Sequence, residues 1–285
     1  MLPDIPAVSR TFDYSVPDRL KGRVVPGAMV RVAFHGRRVG GWVVGLSDRP
    51  ATEKPLQPVL KVSGLGPAPD LMELTAWAAW RWAGRRSALL RSASPPVMVT
   101  SLPPPAEPVS SPGAIAPETD TASIGGMVAD AFRRGLALAR VAPAEDPFPF
   151  VAEAAARTDA LVLAPSLSTA GFLAARLRRL GHPVAIVPRD WARAAAGGCV
   201  AIGARAAAWA PRPQLGAVVV LDEHDEGYQE ERSPTWNARD VAVERARRAA
   251  APCVLTSPCP SLETLATADL LLPARADERS GWPVV

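Results

Sequence analysis

Prolines crowd residues 95 to 120: Pro95-Pro96, Pro103-Pro104-Pro105, Pro108, Pro112 and Pro117. Each fixes φ and removes a backbone donor, so the stretch reads as a linker and not as a regular element. The linker divides a chain of 285 residues, a length that on a prior of roughly 150 residues per domain allows about two domains. The reading is a small β-rich domain over residues 1–95 that closes with a helix. Residues 96–145 are then linker, with a weak helical stretch around Ile124 to Ala139, and residues 146–285 an α/β lobe.

Residue patterns on either side support this division. Val24, Val25, Met29 to Phe34 and Val39 to Leu46 are rich in valine and aromatics and broken by Pro26-Gly27 and His35-Gly36, which predicts a small antiparallel sheet or barrel. Pro69-Asp70 opens a helix on which Leu71, Leu74, Ala78 and Trp77, Trp80 and Trp82 recur near helical spacing, so the tryptophans read as core or interdomain packing before a base-stacking platform. In the later part, short apolar strands alternate with helices, the pattern of a parallel α/β sheet. The strands expected are Ala160 to Ala164, Val184 to Val187, Val200 to Gly203, Ala217 to Leu221 and Cys253 to Thr256. One helix is expected to start on Ser168 as N-cap and stop at Gly181, and another to run from Ala238 to Ala250 with Asn237 as cap and Asp240 on the helix dipole.

Charge is placed unevenly. Residues 1–100 hold 14 Lys+Arg against 7 Asp+Glu, and residues 101–285 hold 18 against 21. A polyanion-binding first domain joined to a near-neutral second one has this asymmetry, as does a merely solvated basic face. The longest apolar runs, such as Leu161 to Pro165, fall far short of the roughly 20 residues of a membrane helix. Met1 to Arg10 lacks the charged and apolar regions of a secretory signal, so a cytoplasmic protein with no membrane partner is expected. Cys199, Cys253 and Cys259 lack metal-ligand spacing and read as buried thiols, with no metal site.

The string Val218-Val219-Val220-Leu221-Asp222-Glu223-His224-Asp225 is the most informative one in the lobe. A buried parallel strand ending in two acids delivers them to the sheet's carboxyl edge, where open α/β folds bind ligands. In nucleotide-driven motors the first such acid holds Mg²⁺ and the second polarises the attacking water; the alternative is a pair of acids facing solvent. Such chemistry also needs a glycine-rich turn and a lysine on the β- and γ-phosphates. No lysine follows Lys61, and the segment where that turn belongs reads Pro143-Ala144-Glu145-Asp146-Pro147-Phe148-Pro149-Phe150, without glycine and with acids that would repel a triphosphate.

Several strings together resemble the PriA (primosomal protein N′) family of bacterial replication-restart helicases. Arg10-Thr11-Phe12-Asp13-Tyr14-Ser15-Val16-Pro17 is similar to the family's FDYxVP string, and Pro26-Gly27 with Val30 to Phe34 to its PGxxVxVPF strand. Gly203 to Ala207 resembles GTRSA, Asp222 to Asp225 the DEEHD box, Asn237 to Asp240 the SARD segment, and Ser257 to Glu263 the SATPSLE motif. The Phe34-His35-Gly36-Arg37-Arg38 turn, the missing P-loop and the arginine bias resemble the family's actinobacterial branch, whose members lack working helicase motifs.

The resemblance implies a 3′-DNA-end-binding domain followed by one RecA-like helicase lobe without its P-loop. Phe12 and Tyr14 would shape a pocket for the terminal base, Asp13 would accept hydrogen bonds from its edge, and Gly36 would let the backbone approach. Gln57 or Lys61 would stand for the family's pocket lysine, and Arg31, Arg37 and Arg38 would contact phosphates. Asp222 and Glu223 become a vestigial acidic box. The family uses ATP, Mg²⁺ and Zn²⁺, but the sequence ends at Val285, before the family's second lobe and zinc-binding cysteines, so their sites are expected to be absent or incomplete. The function implied is DNA-binding replication restart at forks or 3′ ends, with primosome and replication proteins as partners. An ATP-dependent 3′→5′ helicase and a protein-interaction scaffold are the alternatives.

Overall fold

In the computed structural model, residues 1–6, 8–107, 122–157 and 159–282 are described. By contact density the chain forms two units, Met1–Leu102 with Glu231–Trp236, and Pro103–Glu230 with Asn237–Val285. Most of the proline-rich stretch expected as linker, residues 108–120, lies outside the described residues.

The first unit is built on β1 (Leu2–Pro3), β2 (Met29–Phe34), β3 (Arg37–Trp42) and β4 (Val59–Gly64), an antiparallel sheet in the order β1-β3-β2-β4. His35 and Gly36, both at positive φ (47° and 74°), join β2 to β3 in the two-residue loop that the twist of a hairpin favours. Side chains alternate across the sheet with period two. One face carries Val30, Val32 and Val59 into a core with Met1, Leu20, Val24 and Val43. On the other face Met29 and Trp42 pack with Leu2, Met72 and Leu90. The last two belong to α1 (Pro69–Arg81) and α2 (Arg86–Ala93), and the Trp42 indole donates to Ser94 Oγ at 2.8 Å. Proline occupies the first turn of α1, where its missing N–H leaves no gap in the helix. The tryptophans divide: Trp77 and Trp82 meet edge to face at 5.4 Å, whereas Trp80 is 78% exposed and packs no core.

The second unit is a seven-stranded sheet with helices between its strands. Its elements are α3 (Ala122–Ala131), β5 (Leu136–Arg140), α4 (Phe148–Ala155), β6 (Leu161–Leu163), α5 (Leu167–Arg179), β7 (Val184–Ile186), α6 (Trp191–Ala196), β8 (Val200–Gly203) and β9 (Val218–Val220). The short strands β10 (Gln229–Glu230) and β11 (Trp236–Asn237) follow, then α7 (Ala238–Ala249), β12 (Cys253–Ser257), α8 (Leu262–Leu265), β13 (Asp269–Leu271) and α9 (Arg275–Ser280). The order β13-β5-β12-β9-β6-β8-β7, parallel throughout, is consistent with a RecA-like lobe. Central strands buried on both faces account for their unbroken apolar runs.

Three details correct the sequence reading. The helical stretch expected around Ile124 to Ala139 ends at Ala131, and Leu136-Ala-Leu-Ala-Arg140 is a strand paired on both sides, with β12 and β13. Alanine and leucine favour helix, but two flanking ladders override that preference. The N-cap of α5 is Ser166, whose side chain accepts from Thr169 N, and not Ser168. Cys259 is exposed, while Cys199 and Cys253 are buried, and burial raises the Cys253 thiol pKa to about 12.

Candidate nucleic-acid interface

The segment Thr11 to Val16 runs beside β4. Ser15 N donates to Gln57 O and Val59 N to Ser15 O, both at 3.0 Å. This backbone tie places Asp13 and Tyr14 on the wall of a cavity of about 760 Å³, lined also by Val24, Val43, Leu46, Arg49 and Val59. Tyr14 is half-buried, donates its hydroxyl to Ala33 O at 3.1 Å, and has its pKa raised by burial. It is therefore a fixed wall. Asp13 is exposed, and among the described residues only its Oδ2 has a hydrogen-bond partner, Ala51 N at 2.6 Å. Its Oδ1 is left to accept from a ligand.

Phe12 does not line that cavity. Its ring meets Phe34 edge to face at 5.0 Å, Phe34 meets His35 at 4.5 Å, and the Arg10 guanidinium lies 4.8 Å over the Phe12 ring. Phe12 thus belongs with the hairpin turn that holds Gly36. Gly36 needs its glycine for the positive φ of that turn, and nothing lies within 4 Å of where a Cβ would sit. The expected pocket residues are split between two neighbouring clusters.

The basic residues separate by strand face. Arg31 pairs with Lys61 across β2 and β4, and Arg38 pairs with Ala33, two residues along from Arg31, so Arg31, Arg38 and Lys61 share one face. They line a groove of about 420 Å³ with Leu60. Helices α1 and α2 cover the Trp42 end of this face and leave the basic end open. Arg37 pairs with Phe34 and points to the opposite face. Gln57 lies beside the Asp13 segment, whereas Lys61 lies in the basic groove.

In the second unit β5, the loop Val141 to Pro147 and α4 form the strand–loop–helix unit in which a P-loop would sit. The residues there do not fit a triphosphate. Ala144 N donates to Gly281 O at 3.1 Å, Glu145 N to Ala142 O at 3.0 Å, and Phe148 N to Asp146 Oδ1 at 3.0 Å, so these amides already have acceptors. A Cβ on Gly281 would lie 2.5 Å from Ala142 Cβ, a measure of how closely the segment after α9 packs on this loop. Burial raises the Asp146 pKa, but hydrogen bonds from Arg176 and Phe148 N outweigh it and keep the carboxylate ionised.

Asp222 and Glu223 stand at the carboxyl end of β9, as expected, but in different states. Asp222 adopts positive φ (48°), and burial, with a smaller contribution from Asp225, raises its pKa against the influence of His224. Glu223 is 2% exposed and accepts four hydrogen bonds: Oε1 from Ser261 N (2.7 Å) and Thr264 Oγ1 (3.0 Å), Oε2 from Arg239 Nη1 (2.9 Å) and Ser261 Oγ (2.9 Å). Burial raises its pKa, but the bonds from Ser261, Arg239 and Thr264 outweigh that and hold it below the ordinary glutamate value. A carboxylate so saturated has no lone pair left to polarise water and acts as a pin between β9, α7 and α8. Arg239 and Ser261 stood in the sequence strings without a role; only the fold brings them to Glu223. Among the described residues no cluster of three His, Cys, Asp or Glu is placed to hold a metal ion.

An antiparallel β domain with a basic face, joined to a parallel α/β lobe of RecA type, defines the class, and comparison with known proteins gives the family. Residues 2–95 match the family model for the 3′DNA-binding domain (3′BD) of PriA. Nearly the whole chain, 98% of it, aligns at 30% identity with the probable replication restart protein PriA of Mycobacterium tuberculosis, covering 45% of that protein. Shorter stretches match the replication restart protein PriA of Bacillus subtilis (40% identity over 67 residues, 24% of this chain and 8% of the relative) and of Chlamydia pneumoniae (44% over 82 residues, 28% and 11%). The chain belongs to the PriA family. It spans less than half the length of these relatives. No helix among the described residues is long and apolar enough to cross a membrane.

Proposed function

We propose that this chain is a replication-restart protein that holds the 3′-terminal nucleotide of a DNA strand in its N-terminal domain, recognises forks, and recruits primosome and replication proteins without hydrolysing ATP. The observation that carries this reading is the cavity walled by Tyr14 and Asp13 inside the domain that matches the PriA 3′DNA-binding model. The cavity has room for a terminal base, the free Asp13 Oδ1 accepts from the N–H groups of a base edge, and the basic groove on the other face of the same sheet offers cations to backbone phosphates. Contacts of this kind recognise strand structure and not sequence, and they weaken as salt rises.

Support for ATP independence comes from the filled loop after β5, the absence of any lysine beyond Lys61, and the engagement of Glu223. The rival reading, an ATP-driven 3′→5′ helicase, draws on Asp222, whose place at the strand end suits a magnesium ligand. Forked-DNA binding and DNA-stimulated ATPase, measured on the same preparation, decide between the two. Salt-dependent fork binding with no ATPase above background is expected; ATPase would establish the helicase reading, and no fork binding would refute both. In addition, Asp13→Ala should remove the preference for a free 3′ end and leave general DNA affinity in place.

A further inference from the structure

Between residues 160 and 221 the chain carries seven arginines and a single acid, Asp190, although the part beyond residue 100 is slightly acidic overall. Three of the seven are engaged internally. Arg212 is buried against Asp159 at 2.7 Å, Arg176 pairs with Asp146 at 2.6 Å, and Arg205 with Glu230 at 3.1 Å. Of the others, Arg178, Arg189 and Arg193 converge on a groove of about 430 Å³ beside β7, the outermost strand of the sheet, with His182, Pro183, Val184, Asp190 and Ala192.

The groove's own geometry limits what it can take. Arg178 Nη2 donates to Val184 O, Asp190 Oδ2 accepts from Ile186 N at 2.9 Å, and Asp190 N donates to Ile186 O at 2.9 Å. These bonds occupy Val184 O and both backbone groups of Ile186 on the outward side of β7, so little of the edge is open to an added strand. Asp190 is also the only carboxylate in the lining, and Arg189 is its ion-pair partner at 3.0 Å. The Arg193 guanidinium, exposed, has no acidic partner among the described residues. His182 is the one ring in the lining, with no Phe, Tyr or Trp beside it, and the one carboxylate is already engaged, so cations outnumber the groups that could read a base or a ribose. What remains is an excess of guanidinium forks, the group suited to phosphate oxygens.

The geometry points to the Arg178–Arg189–Arg193 groove as a second DNA contact, one that takes the phosphodiester backbone irrespective of sequence or strand end. The inference rests on the DNA-binding reading above, and strand-end preference keeps the two separable. The groove by itself offers DNA two or three phosphate contacts.

The test compares the full chain with R189Q/R193Q and with R133Q/R134Q, whose exposed arginines are already paired with Asp130 and Asp269. Affinity for forked DNA is measured across a salt series, with a free and with a blocked 3′ end. R189Q/R193Q is expected to bind every DNA on the order of tenfold more weakly, with a salt slope lower by about 2 and an unchanged ratio between free and blocked ends. R133Q/R134Q should match the wild type. Affinity and slope unchanged in R189Q/R193Q overturn the proposal. So does saturable binding of inorganic phosphate or ADP that R189Q/R193Q abolishes while DNA affinity stays the same, since the ligand is then a small phosphate compound. A changed end ratio with an unchanged slope overturns it as well, because the groove would then act through the N-terminal pocket. Loss of end preference in Asp13→Ala alone bears on the N-terminal reading and leaves this one standing.

Discussion

Replacing Glu223 with alanine withdraws one acceptor from four donors at once. Ser261 N, Thr264 Oγ1, Ser261 Oγ and Arg239 Nη1 would lose their partner in a largely buried position, although Arg239 would keep Asp240 at 3.0 Å. Breaking one side of a buried ion pair costs about 3–5 kcal/mol. For a domain of 150–250 residues that is a fall in melting temperature of roughly 6–20 °C. Glu223→Gln retains an acceptor for Ser261 N and Thr264 but turns an amide toward Arg239, so its loss should be about half as large. The folded-state pKa of Glu223 lies below its ordinary value, so its stabilisation is complete above pH ~4.3 and is lost as pH falls through the lowered folded value. Thermal unfolding followed by circular dichroism, at neutral pH and in acid, measures both effects. Wild type should lose more stability on acidification than Glu223→Gln. A Glu223→Ala variant that melts within about 2 °C of wild type would refute the assignment of this carboxylate as a structural pin.

Three further outcomes follow from the same geometry. R31Q/R38Q/K61Q should lower the salt slope of DNA binding by about 3, while Arg37→Gln, on the opposite face and outside the groove, should lower it by no more than about 1; titrations across a salt series read both. Asp159→Ala should destabilise the chain by about 3–5 kcal/mol in urea unfolding, because Arg212 would be left buried beside Cys199 and Ala194 without its carboxylate. A fluorescent ATP analogue with Mg²⁺ should give no saturable signal, since the loop after β5 offers its amides to protein acceptors.

Much of the architecture was legible because it rests on short-range chemistry. The His35-Gly36 hairpin, the proline start of α1, and Asn237 capping α7 through Arg239 N and Asp240 N each depend on a few neighbouring residues. Strand β5 was not legible, because Leu136-Ala-Leu-Ala-Arg140 carries helical preference and becomes a strand only between β12 and β13. The exposure of Trp80 depends on which face of α1 meets the sheet, which spacing alone does not decide. The acidic pair was visible in the sequence as a pair, but its division of labour was not. Asp222 and Glu223 differ through residues 16 to 41 positions away in sequence. Likewise, face alternation across the β2–β3 hairpin separates Arg37 from Arg38, although they are adjacent in the chain.

The central claim is that the N-terminal domain grips a DNA 3′ end without nucleotide. It is tested most directly by the affinity of the chain for one forked DNA carrying either a 3′-hydroxyl or a 3′-phosphate, measured without ATP, in wild type and in Asp13→Ala. A hydrogen-bonded terminal base is worth about 1–3 kcal/mol, so wild type should prefer the free end roughly fivefold to a hundredfold, and Asp13→Ala should bind both ends equally. Equal affinity of the wild type for the two ends would contradict it.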